Sequence, residues 1–80
     1  MDSLLLQYTT PSALLEIIGQ IRLLLKDILE NLYKKITLAD KHKDYQNHKH
    51  YLMVLYSRAE RYDQHSHEIE INLRRLIQKV

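Results

Sequence analysis

In the second half of this chain a stripe recurs at alternating steps of three and four: Tyr45, His48, Leu52, Leu55, Ala59, Tyr62, Ser66, Ile69, Leu73, Leu76, Val80. A long helix lying along another helix requires that period, and a strand does not produce it. The first half carries a companion stripe: Leu14, Ile17, Ile18, Ile21, Leu24, Leu25, Ile28, Leu32, Ile36. On a helical wheel those positions fall within roughly 120–140°, the width of a core-facing helix. With one glycine and one proline in 80 residues, little in the chain would break either helix. The pattern predicts an all-α fold, an antiparallel helical hairpin of coiled-coil type.

Local signals set the expected boundaries within a single domain, 1–80. Thr10 suits an N-cap and Pro11 the first helical position, where a missing N–H costs nothing. Helix A is expected over 11–36. The stripe then loses phase at Thr37-Leu38-Ala39-Asp40, which predicts a turn there and helix B over 41–78. One unbroken helix is the alternative, because that tetrapeptide contains neither Gly nor Pro. At ~1.5 Å per residue, A spans about 39 Å and B about 57 Å, so B overhangs by roughly a third. A short helix over 3–8, with Leu4-Leu5-Leu6, is placed to cover the exposed Ile69, Leu73, Leu76 and Val80.

Charge and composition exclude several function classes. Twelve Lys plus Arg against ten Asp plus Glu give +2, too weak a balance to imply a polyanionic partner. The opening residues lack a basic n-region, and no apolar run approaches the ~20 residues that cross a bilayer. The chain reads as soluble, with no membrane role. It has no cysteine, so neither a disulfide nor a thiolate metal site can staple a core this small.

Specific chemistry is absent from the pattern. No two of His42, His48, His50, His65 and His67 are three or four apart, the spacing at which helices present metal ligands. The basic run Lys41–His50 is short and interrupted by Asp44, which argues against nucleic-acid binding. The expected inner stripes hold no charge that could clamp an anionic substrate, so no catalytic residue and no cofactor are assigned.

Apolar surplus carries the functional reading. Leu15, Leu29 and Tyr33, with the Arg22 stem, form a second stripe beside the first, and Met53 and Tyr56 are neighbours on helix B. A lone hairpin has one inner face, and contiguous apolar residues outside it indicate an interface. Leu15, Leu29, Tyr33, Met53 and Tyr56 are therefore the expected partner-binding residues. The expected partner is another protein chain, met through helix faces. The rival readings are a homo-oligomeric structural bundle and a small nucleic-acid-binding regulator.

One short motif adds a resemblance. Asp40 precedes Asp44-Tyr45-Gln46, which opens the second amphipathic helix. In this the chain resembles the E-type co-chaperones of type III secretion needle subunits: small helical hairpins whose bend is soon followed by Tyr-Gln. The needle subunits themselves share the helix-bend-helix plan. The resemblance implies a cytoplasmic protein that pairs with a second chaperone and keeps a needle subunit from polymerising.

Overall fold

The computed structural model describes residues 10–43 and 46–79. Two helices account for nearly all of them: α1, Pro11–Lys41, and α2, Gln46–Gln78. They pack along each other as an antiparallel hairpin, and the fold is all-α as the periodicity requires. The expected helix over 3–8 lies outside the described residues.

The start of α1 follows its sequence signals. The Thr10 hydroxyl accepts a hydrogen bond from the Ala13 amide at 3.2 Å, and the Leu14 amide donates to the Thr10 carbonyl at 3.0 Å. Pro11 occupies the first turn, where its fixed φ is already helical.

The expected turn over 37–40 does not form. Thr37 donates its hydroxyl to the Tyr33 carbonyl at 2.9 Å, a bond made inside a continuing helix rather than at a cap. Ala39 is buried at 4% exposure. Without Gly or Pro, nothing outweighs continued hydrogen bonding, and α1 runs on to Lys41 before His42 takes an extended conformation at the C-cap. Helix A therefore ends five residues beyond its expected boundary at 36, and helix B begins at Gln46 rather than 41. The helices have 31 and 33 residues, so the expected overhang disappears.

The seam is also rotated from the expected stripes. On α1 it consists of Leu15, Ile18, Arg22, Leu25, Leu29, Leu32 and Ile36, all half-buried, and buried Ala39. These too alternate by three and four. Leu14, Ile17, Ile21, Leu24 and Ile28 of the expected stripe remain exposed. On α2 the line Leu52, Ala59, Ser66, Leu73 is shared with the expected seam, and Ala59, Ser66 and Leu73 are the buried members. Its companions are Lys49, Tyr56, Asp63, Glu70 and Ile77; Leu55 and Ile69 of the expected seam are half-buried as well, while Tyr62 and Leu76 face outward. The physical reason is width. One neighbouring helix covers only a narrow stripe, and both apolar arcs are wider than that. Small Ala59 and Ser66 are buried in the seam, and no large side chain among the described residues is fully buried.

Gly19 is half-buried beside the seam, and a Cβ added there meets nothing within 4 Å. Gly19→Ala is therefore expected to stabilise the hairpin by about 0.5–1 kcal/mol, the helix-interior difference between the two residues. A urea melt in which the alanine variant is no more stable than the natural chain would contradict that open space.

Candidate protein-binding face

Assigning heptad positions to the seam separates the hairpin's two broad sides. On α1, Leu15, Arg22, Leu29 and Ile36 take position a, and Ile18, Leu25, Leu32 and Ala39 take d. On α2, Lys49, Tyr56, Asp63, Glu70 and Ile77 take a, and Leu52, Ala59, Ser66 and Leu73 take d. In an antiparallel pair the e positions flank one side of the seam and the g positions the other.

The e side is polar at its centre. Arg22, half-buried on α1, donates from Nε to Asp63 Oδ1 at 3.1 Å and from Nη1 to Glu70 Oε1 at 3.2 Å. Nη1 also lies 2.9 Å from His67 Nδ1. A guanidinium has no acceptor, so Nδ1 accepts and the ring's proton sits on Nε2. Arg74 approaches Glu70 at 3.8 Å from the next turn. The Asp63 hydrogen bond, opposed by partial burial and aided by the charges of Asp63 and Glu70, raises the guanidinium's pKa above its ordinary value. A raised pKa stabilises the fold below the ordinary value and is lost only as pH climbs through the folded one. Both lie in strong alkali, so the arginine end of this contact is constant across the range in which proteins work.

The expected inner stripes held no charge, so this cluster is a correction. Its signal was present: Arg22 lies four residues after Ile18 and three before Leu25, in phase with the true seam. Arg22 is already committed to three partners and offers no free fork to an anionic substrate. Asp63, His67 and Glu70 converge on the guanidinium, and among the described residues no three His, Asp or Glu side chains form a set that could hold a metal.

Arg22→Ala is expected to cost about 1–3 kcal/mol. Exposed ion pairs contribute ~0–1 kcal/mol, and breaking a fully buried one costs ~3–5 kcal/mol. These side chains lie between, at 30% exposure for Arg22, 28% for Asp63 and 15% for Glu70. A denaturant midpoint unchanged by the substitution would show the cluster to be solvent-screened decoration.

The five expected partner-binding residues divide in two. Leu15 and Leu29 on α1 and Tyr56 on α2 are in the seam, half-buried by the hairpin itself. Exposed Tyr33 and Met53 lie on the e side near the bend, beside seam residues Tyr56 and Ile36 and next to Ser57. Across the bend Lys49 pairs with Asp40, which neutralises one cation of the basic run.

The g side is different. It carries Leu14, Ile21 and Ile28 from α1 and Leu55, Tyr62, Ile69 and Leu76 from α2, with Ile17 and Leu24 beyond them at c. Tyr62 is 61% exposed and Leu24 63%. Between the helices runs a shallow groove whose floor includes Leu25, Leu32 and Ala59 and whose walls are Ile28, Leu55 and Tyr62, with Arg58 at the rim. The wide arcs of both helices thus turn toward one common side. Among the described residues no helix is long and apolar enough to cross a membrane. No protein-family model, curated protein or solved structure matches the chain.

Proposed function

We propose that this chain is a helix-mediated protein-binding module, acting as a small cytoplasmic chaperone of the type III secretion needle-subunit class. One observation carries the reading: the apolar arcs of α1 and α2 converge on the g side instead of on each other, which leaves a hairpin one layer deep with an apolar face that the described residues do not cover. Domains bury apolar faces between at least two layers of secondary structure. A helix laid in the groove supplies the missing layer, with anchors at three- and four-residue spacing. A chaperone of a polymerising helical subunit does this by occupying the surface through which the subunit would otherwise self-associate. The resemblance at Asp44-Tyr45-Gln46 points to the same class, and the filled Arg22 cluster favours binding over catalysis.

The test is a mass measurement joined to a footprint. The 80-residue chain is sedimented alone and together with a needle subunit, and amide exchange is mapped on any complex. The expected result is a complex in which exchange slows around Ile21, Ile28, Leu55 and Tyr62. A stable 9.6 kDa monomer in both mixtures would sink the reading, as would a complex protecting only the e side.

A further inference from the structure

The occupant's charge is written on the same face. Every described Asp and Glu lies away from the g and c positions: Asp63 and Glu70 are in the seam, Asp40 and Glu60 flank the e side, and the others lie beyond them or on the outer surface. The g and c positions carry Lys35, Arg58 and Lys79, with His48 and His65, among apolar residues and asparagines. No ion pair between described residues engages Lys35 or Arg58. Arg58 stands at the rim of the groove beside Tyr62, and Lys35 lies one helical heptad along from Ile28 toward the bend.

We infer that the groove takes an amphipathic helix from a different protein whose apolar stripe is bordered by Asp and Glu, their carboxylates meeting Arg58 and Lys35. This rests on the protein-binding reading above and adds the partner's chemistry. A second copy of this chain fits poorly. A two-fold interface sets the same patch against itself, and this patch would bring cations to cations with no carboxylate between them. A second copy also lacks any acidic border to offer from the same face. An anionic bilayer fits the charge but not the shape, because the apolar floor at Ala59 is recessed between two helices where a helix ridge reaches and a flat surface does not. Complementary rim charges steer encounter and select partners, and salt weakens them.

The experiment uses the full chain and two synthetic helical peptides of about 20 residues, long enough to form helix. Both carry one leucine stripe at three-four spacing; one borders it with Glu and the other with Lys. Binding is read by fluorescence anisotropy at low salt and at about 1 M, where the Debye length is ~3 Å. The acidic peptide is expected to bind at least about tenfold tighter at low salt, roughly 1.4 kcal/mol, with the ratio shrinking at high salt. Lys35→Glu with Arg58→Glu is expected to reverse the preference, and both positions are exposed, so the fold persists.

Equal affinity for the two peptides, or preference for the basic one, overturns the inference. If Leu24→Gln with Tyr62→Gln still weakens both peptides alike, the protein-binding reading survives without the charge rule. Three further results defeat the inference without appeal to affinity ratios: binding to phosphatidylserine vesicles and to neither peptide, self-association that occupies the face, or no binding at all. The last of these, in a chain that stays monomeric, removes the parent reading as well.

Discussion

Leu73→Ala is expected to cost about 2–4 kcal/mol of folding stability, the range for truncating a buried leucine. Leu73 is 8% exposed, and its seam line on α2 otherwise holds small Ala59 and Ser66 among its buried members. Leu23 is the matched control. It is 60% exposed on α1, and Leu23→Ala should move stability by only a few tenths of a kcal/mol. Denaturant melts on both variants check the pair. Equal losses at the two positions would mean that the seam has been assigned to the wrong face. For a chain of this size the loss at Leu73 is a large share of total stability, commonly ~0.05–0.15 kcal/mol per residue.

Leu24→Gln with Tyr62→Gln is expected to abolish partner binding while leaving the hairpin as stable as before. At 63% and 61% exposure, neither side chain contributes much to the hairpin's own packing. In a complex Tyr62, which lines the groove, becomes a buried anchor, and central aromatic anchors commonly contribute 2 kcal/mol or more; Leu24 adds the transfer free energy of a leucine taken out of water, about 1.5 kcal/mol or more when fully buried. The expected loss of affinity is therefore at least about a hundredfold, ~2.7 kcal/mol. Circular dichroism melts and sedimentation with the partner separate the two effects. A double variant that binds normally would show that the g side is surface and nothing more. One that melts early would show that it belongs to the core.

These two results would divide what the residues revealed from what they concealed. Helix content, antiparallel pairing and the Thr10-Pro11 start were legible, because each depends on local signals: period, cap and proline. The phase of the seam was not. When thirteen apolar or aromatic residues crowd α1 between Leu14 and Ile36, the centre of the arc is a poor guide to the line facing α2. The centre points instead toward whatever completes the bundle. Arg22 was invisible for a related reason. Reading the inside as uniformly apolar skips a cation whose partners, Asp63 and Glu70, lie more than forty residues away. The bend lies beyond its expected place because loss of phase at Thr37–Asp40 marks a change of face and not the end of the helix. A helix without Gly or Pro persists through a change of face. The expected partner-binding residues are those outside the expected stripes, and the rotation of the true seam turns Leu15, Leu29 and Tyr56 from surplus into seam.

The bend between Lys41 and Gln46 also orders the assembly of the hairpin in time. All pairings between the helices are nested around it, from Asp40 with Lys49 nearest the bend to Arg22 with Asp63 and Glu70 farther out. Closing the innermost contact encloses the shortest loop, and loop-closure entropy rises with loop length. Each later turn extends a structure whose loop is already closed. The hairpin should zip outward from the bend, with Arg22 acting as a late check on alignment: slipping one helix past the other by a heptad would pull its guanidinium away from at least one carboxylate. Fraying should run the opposite way and begin at Pro11 and Gln78. A partner helix entering the groove at that open end would meet the hairpin where it yields most, and would tighten it as it advanced toward Tyr62.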